Sequence, residues 1–308
     1  MKAPSRDCVL AAVARIAPYI HHTPVLQSRS MNKLVGANLF FKCENFQKTG
    51  AFKARGAVNT VLQLSSDIES VVTHSSGNHG AALAWSTSLH EINSFVVVPT
   101  DASPFKRRNM ERYGATLIDC GQELESRESV LQEFLKQHDA TFIHPYDDAR
   151  IITGQGTATM ELLESEHNLD QIWVPVGGGG LASGAILAAN GNVEIVCAEP
   201  ELAKDAYLSM QTGDRQPPLP PVTVADGLRS SLGELNFDIL KAAKTRVALA
   251  TEDSINSAVR LVFEMMKIVI EPSAAVVVGA MLDNPSFVAK RVGAILSGGN
   301  VPCPRQFN

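Results

Sequence analysis

No basic excess runs through this sequence: 27 Lys and Arg face 32 Asp and Glu, a net charge of -5. Without surplus cations nothing neutralises a line of phosphates, which argues against a nucleic-acid partner. Long apolar runs are missing as well. The longest, Ala274 to Leu282, falls far short of the ~20 residues that cross a bilayer, so no membrane span is expected. Lys2, Arg6 and Asp7 precede no apolar segment with a cleavage site, and the cytoplasm is the expected compartment. Cys8, Cys43, Cys120, Cys197 and Cys303 are odd in number, scattered and never in C-x-x-C spacing, against both a disulfide framework and a zinc ribbon. They read as reduced thiols, mostly core, with Cys303 the one candidate for reactivity. Charge is also sparse, 19% against 45% hydrophobic, which excludes a disordered chain. The 308 residues suffice for about two domains.

What is present is alternation. After a helix over 7–16 closed by Pro18, a strand near 39–43 and a helix over 52–64, strand-length apolar runs take turns with helical periodicity. The strands are VVT, FVVVP, TLIDC, TFIHP, IWVPV and EIVCAEP; the helices fall at 78–89, 107–113, 125–136, 156–163 and 181–189. Such crossovers require a mostly parallel sheet covered on both faces, an α/β fold. No Gly/Ser linker divides the chain, so a second domain has to be inserted through the sheet connections. Gln216 to Pro221, QPPLPP, reads as a rigid exposed loop. The adjacent His21 and His22 point to opposite sides of an extended segment, which favours a structural role over joint metal ligation.

Open α/β sheets bind ligands beyond the carboxyl ends of their strands. Three turns there stand out. Gly177, Gly178, Gly179 and Gly180 lead directly into a helix, where bare N–H groups and the helix dipole suit a phosphate, although a flexible turn would look the same. The run has neither the Lys-Ser/Thr ending of a nucleoside triphosphate loop nor a G-x-G-x-x-G fingerprint, so a smaller phosphorylated cofactor is expected. His74 to Gly80, HSSGNHG, gathers hydroxyls, an amide and imidazoles at one strand end, suited to a carboxylate or a polar ring substituent. Ser297-Gly298-Gly299-Asn300 offers a hydroxyl followed by residues that permit close approach. Lys53, in KTGAFKARG, sits among apolar neighbours that favour a neutral amine, the requirement for Schiff-base chemistry. A Schiff-base lysine and a glycine phosphate cradle are the two attachment points of pyridoxal 5′-phosphate.

The motifs KTGAFKARG, THSSGNHG, VPVGGGGLASG, CAEP, ADGLRSSLG, IEPSAAV and LSGGN, in this order across nearly the whole chain, resemble the fold type II pyridoxal-phosphate enzymes. Within that group they are most similar to the family of serine racemases and serine/threonine and 3-hydroxyaspartate dehydratases. The resemblance implies a homodimer with a large domain, 1–66 and 147–308, and a small mobile domain, 67–146. It implies that Lys53 forms the Schiff base, Phe52 packs on the ring, Asn78 bonds the ring hydroxyl, Gly177 to Gly180 with Leu181 hold the phosphate, and Ser297 meets the pyridine nitrogen. Ser75, Ser76, Asn78 and His79 would surround the substrate carboxylate. Arg127 would approach from the small domain, unless it only pairs with Glu123 or Glu128 on its helix.

The implied reaction interconverts L- and D-serine with accompanying elimination to pyruvate and ammonia, Lys53 and Ser76 serving as opposed acid/base groups. A dedicated threonine/serine or 3-hydroxyaspartate ammonia-lyase is the alternative, and a non-catalytic amino-acid or nucleotide sensor a remote one. Glu199, the carbonyl of Ala203 and Asp205 match the family's Mg²⁺, Ca²⁺ or Mn²⁺ site; read alone, the two carboxylates are ordinary surface acids. Ser28, Lys48, Thr49, Tyr113, Lys267 and Asn300 match an ATP site, from which Arg29, Ser30 and Ala81 depart. Tyr146, in HPYDD, stands where mammalian racemases carry an Asn, which leaves the substrate preference open.

Overall fold

The computed structural model describes residues 3–220 and 222–302; Lys2, Cys303 and the last proline of QPPLPP lie outside it. In chain order the first elements are α1 (Arg6–Ile16), β1 (Val25–Leu26), α2 (Arg29–Val35), β2 (Asn38–Cys43) and α3 (Lys53–Val61). Next come β3 (Ser70–His74), α4 (Asn78–Ser88), β4 (Asn93–Pro99), α5 (Pro104–Arg112), β5 (Thr116–Cys120), α6 (Leu124–Gln137) and β6 (Thr141–Phe142). The remainder holds α7 (Ala149–Ser165), β7 (Gln171–Pro175), α8 (Gly180–Ala189), β8 (Glu194–Pro200), α9 (Asp205–Thr212), α10 (Glu234–Ala242), β9 (Arg246–Ala250), α11 (Glu252–Met266), α12 (Pro272–Asp283) and β10 (Arg291–Leu296).

These strands make two separate sheets. One has the order β1-β2-β10-β7-β8-β9, parallel except for β1; the other, β5-β4-β3-β6, is wholly parallel and uses only strands between Ser70 and Phe142. Both are sandwiched by helices, the α/β architecture expected. In the larger sheet the period of two sends Leu39, Phe41, Val196, Ala198, Ala294 and Leu296 to a core under α11 and α12. Their alternates Phe40, Ile195, Cys197 and Ile295 pack with Leu181, Ala182 and Ala185 of α8.

Two elements differ from the sequence reading. The helix expected at 156–163 starts at Ala149, because Gly154 and Gly156 are contacts and not breaks. A Cβ on Gly154 would come within 2.7 Å of the Arg55 carbonyl, and one on Gly156 within 2.7 Å of the Gly184 carbonyl, so α3, α7 and α8 pack backbone to backbone. The strand read from TFIHP stops at Phe142. Beyond it Ile143 still donates to the Val72 carbonyl, but Pro145 has no N–H to extend a ladder, and the chain crosses back toward the larger sheet.

A buried ionic cluster ties α3 down. Arg55, fully buried, donates to Glu44 (2.7 Å) and to Glu161 (2.6 Å), and Lys42 reaches Glu161 at 2.6 Å. Two carboxylates balance two cations, so neither sign is left uncompensated in a dry interior. The helix that begins with Lys53 is thereby pinned to β2 and α7. The four described cysteines are free thiols, Cys43, Cys120 and Cys197 buried and Cys8 exposed. Among the described residues no helix is long and apolar enough to cross a membrane. Gln47 accepts from the His21 N–H and donates to its carbonyl, a structural use of that segment.

Candidate active site

Lys53 opens α3, and its Nζ donates 2.9 Å to the carbonyl of Pro145. The same nitrogen lies 5.2 Å from the centre of the Phe52 ring. Burial pulls its pKa down to about 8, so the amine is partly neutral near physiological pH. The Phe52 N–H donates to the Ser297 carbonyl at 2.9 Å, bringing the end of β10 beside this helix start. Ser297 itself is buried.

The glycine turn follows β7. Gly179 has φ +92°, a left-handed value that favours glycine, and caps α8. A Cβ on Gly178 would overlap the Tyr146 ring, so that ring lies directly on the turn. Tyr146 belongs to the strap that leaves β6. Its carbonyl accepts from Asn236, and Asp147 accepts the Glu234 and Leu235 N–H groups at the start of α10. Lysine, strap and glycine turn are thus one packed unit.

The turn after β3 supplies the polar wall. Ser75 Oγ accepts the Gly77 and Gly80 N–H groups at 3.1 and 3.0 Å, so it closes the start of α4. Ser76 is half-buried on the same turn. Asn78 donates to Glu271 and accepts from Asn300. His79 is buried with both ring nitrogens unpartnered, and burial holds its pKa well below the usual imidazole value. His74 and His144 meet edge to face at 5.8 Å, each lowered to about 4 by burial. His144 Nδ1 accepts the Asp147 N–H at 2.8 Å, which leaves Nε2 to carry the proton. Arg127 forms no salt bridge among the described residues, so the alternative reading, a pair with Glu123 or Glu128, is absent there. Its Nε is buried without a partner, and its charge opposes protonation of His74.

Residues 16–298 match the pyridoxal-phosphate dependent enzyme family. The chain belongs to that family. Serine racemase of Dictyostelium discoideum is 47% identical over 297 residues, 93% of this chain and 92% of that one. A β-hydroxyaspartate dehydratase of Paracoccus denitrificans is 41% identical over 98% of both. The structure of maize serine racemase superposes with a TM-score of 0.95 at 39% identity, covering 99% of this chain and 96% of that one. Three features of this pyridoxal-phosphate dependent enzyme fit the family's cofactor: a desolvated lysine amine, a turn cleared of side chains at the start of α8, and the unpartnered His79 imidazole.

Glu199, at the end of β8, and Asp205, first residue of α9, are buried, which corrects their reading as surface acids. Glu199 accepts from the Ala206 and Tyr207 N–H groups; Asp205 accepts from Leu232. Burial and then the charge of Asp205 push Glu199 well up, and burial pushes Asp205 up to about 7. Two buried carboxyls with no cationic side chain in a salt bridge to either among the described residues are a donor pair suited to a dication. Ala203 ends the short turn between them and is buried. Among the described residues no cluster of three or more His, Cys, Asp or Glu occurs, so main-chain oxygen or water would complete the shell of any cation here.

The six residues matched to a nucleotide site are only partly gathered. Asn300 donates 2.8 Å to the Thr49 carbonyl, and Thr49, at φ +59°, has a buried hydroxyl without a partner beside Lys48. Ser28 caps α2, Tyr113 ends α5 and Lys267 ends α11; no hydrogen bond joins them to that pair among the described residues.

Sequence reasoning missed Tyr146 as the cover of the glycine turn, and Glu271 and Lys106 behind Asn78. Tyr146 carried a signal in its place between His-Pro and two aspartates. Glu271 was marked only as part of the IEPSAAV motif, and Lys106 carried no signal, since its partners are remote in sequence.

Proposed function

We propose that this enzyme is a serine racemase with accompanying β-elimination of serine to pyruvate and ammonia. The observation that carries the reading is a buried lysine amine lowered to about 8 with a half-buried serine hydroxyl, Ser76, on the neighbouring polar turn. The 47% identity to a serine racemase supports the substrate.

Pyridoxal phosphate, when bound, supplies an aldehyde for attachment and an electron sink that acidifies the substrate α-carbon. Lys53 would hold it covalently, and the neutral Nζ would be the base that takes the substrate α-proton. Gly177 to Gly180, with Leu181, would offer main-chain N–H groups to the phosphate. Phe52 would pack against the ring. Asn78 would donate to the ring oxygen, and Ser297 would meet the ring nitrogen with a neutral hydroxyl that does not hold it protonated. Ser75, Ser76, Asn78 and His79 face the substrate carboxylate. Inversion requires a second group to return the proton from the other side, and Ser76 fills that role.

The division into a large domain, 1–66 and 147–308, and a small mobile one, 67–146, is supported by the two separate sheets. Glu199, the Ala203 carbonyl and Asp205 would hold Mg²⁺, Ca²⁺ or Mn²⁺. ATP would bind around Ser28, Lys48, Thr49, Tyr113, Lys267 and Asn300, with the unpartnered Thr49 hydroxyl as support. A homodimer is favoured by the exposed apolar side chains of Phe46, Phe263, Met265 and Val269. The four cysteines among the described residues are free thiols, which suits the reducing cytoplasm.

A second reading, a 3-hydroxyaspartate ammonia-lyase, is favoured by one observation: the Arg127 Nε is buried and unpaired, a natural partner for a substrate side-chain carboxylate. Chiral analysis of products from L-serine and from 3-hydroxyaspartate stereoisomers separates the two. D-serine from L-serine supports the racemase; pyruvate without D-serine removes it.

A further inference from the structure

Behind the turn that carries Asn78 runs a continuous polar chain whose charged members, Glu271, Lys106 and Asp226, have no role in the steps above. Asn78 Nδ2 donates 2.6 Å to Glu271 Oε1, and Lys106 Nζ approaches Glu271 Oε2 at 3.3 Å and Asp226 at 2.6 Å. On the other side Asn300 Nδ2 donates both to Asn78 Oδ1 (2.9 Å) and to the Thr49 carbonyl (2.8 Å). Glu271 and Lys106 are buried, and Lys106 passes where a Cβ on Gly77 would come within 2.6 Å of its Cδ.

The ends of this chain are chemically one-way. An ionised carboxylate only accepts, and so does a main-chain carbonyl. Glu271 therefore requires the NH₂ edge of Asn78, and Thr49 requires the NH₂ edge of Asn300, which in turn requires the oxygen of Asn78. Both constraints select the same orientation of the Asn78 amide. With one N–H given to Glu271, the other is the donor the amide has left. Burial, and then the charge of Asp226, push the Glu271 carboxyl up, while Lys106 and the Asn78 amide pull against them.

We infer that Glu271 is a positioning residue, with Lys106 as its counter-ion: it locks the Asn78 amide so that an N–H, and not the carbonyl, meets the cofactor's ring oxygen. This rests on the assignment of Asn78 to that oxygen. Lys106 rises from α5, beside the four-stranded sheet, whereas Glu271 and Asp226 belong to the part built on the larger sheet. The donor offered to the cofactor thus depends on a contact between the two halves.

Glu271→Gln tests it with little change of shape. A glutamine must turn its oxygen to Lys106, which leaves its NH₂ against Asn78 and reverses the preferred orientation of that amide. Each variant is dialysed free of cofactor and titrated with pyridoxal phosphate, following the ratio of the visible to the near-ultraviolet band and the cofactor dissociation constant. Melting of the cofactor-free protein is recorded alongside, because a merely structural role lowers the melting temperature without moving the band ratio. Glu271→Gln is expected to shift intensity toward the near-ultraviolet band and to weaken cofactor binding by about tenfold or more. Lys106→Met, which leaves Glu271 in place but unneutralised, is expected to act in the same direction and carries the test if the first variant folds poorly. Asn78→Ala is the reference. If it changes both readings while Glu271→Gln and Lys106→Met stay within about twofold of wild type, the inference falls. If Asn78→Ala itself changes neither, the assignment of Asn78 to the cofactor falls first.

Discussion

Lys53 Nζ and the carbonyl of Pro145, 92 residues apart in sequence, are joined by a 2.9 Å hydrogen bond. The bond ties the start of α3 to the strap that carries His144 and Tyr146. It holds a buried amine whose pKa is about 8, and the largest cause of that value is burial. Attachment of an aldehyde needs the neutral amine. The attachment rate of pyridoxal phosphate to cofactor-free protein should therefore climb with pH and level off just above about 8. A lysine at its ordinary value would keep gaining to about 10.4. The unfolded chain holds this proton more tightly than the folded one, so cofactor-free protein gains stability as pH rises from about 8 toward that ordinary value. Stopped-flow absorbance across pH checks the first, and an attachment rate still climbing at about pH 10 would contradict it.

Racemisation and elimination make different demands on Ser76. Ser76→Ala should cut L-to-D conversion and attack on D-serine by ~10²–10⁴, the usual worth of one positioned acid or base. Elimination from L-serine should fall at least tenfold less, as its proton still goes to Lys53. Lys53→Ala should abolish both activities and the covalent cofactor band. Equal loss of the two activities in a Ser76→Ala enzyme with normal cofactor binding would make Ser76 a carboxylate ligand only.

Tyr146 rests on Gly178 so closely that a methyl group cannot enter. Gly178→Ala should weaken cofactor binding by roughly 10–100-fold through overpacking. Because Gly178 is not in the left-handed region, the obstacle is the ring and not the backbone. Adding Tyr146→Ala should then restore part of the affinity. Titration of the single and double variants decides it; no recovery would move the blame to the loop itself.

Arg55→Met should destabilise the fold by about 3–5 kcal/mol, since it leaves Glu44 and Glu161 buried with only Lys42 to balance them. Urea unfolding measures this. Removing Lys136 from its exposed pair with Glu133 is the contrast, and no resolved change is expected there.

Mg²⁺ or Ca²⁺ should raise the melting temperature of the wild-type protein, because a dication relieves the repulsion between Glu199 and Asp205. Asp205→Asn should abolish the response. A metal-induced rise of equal size in both proteins would place the ion elsewhere.

Much of this architecture was open to reading. Strands such as EIVCAEP and TLIDC form over the very residues read as strands, and the three turns that gather around Lys53 are marked by glycine and by dense polar residues. Gly154 and Gly156 misled, because a glycine that breaks a helix and one that lets two helices touch look alike in sequence. The buried charges were invisible for a similar reason. Arg55 meets Glu161 across 106 positions and Lys106 meets Glu271 across 165, and nothing local distinguishes them from solvated residues. Glu199 and Asp205 looked like surface acids because their burial is imposed by α9 and by the backbone of Leu232.

The larger sheet has an order that matters during synthesis. β10 lies between β2 and β7 and follows every other described strand in the chain. Until residues 291–296 leave the ribosome, β1 and β2 have no partner linking them to β7, β8 and β9, and their apolar edges wait unpaired. The four-stranded sheet is complete once Phe142 has emerged. The nascent chain therefore carries one finished half and one open half for the time taken to make roughly half its length, an interval in which exposed strand edges invite association with other chains.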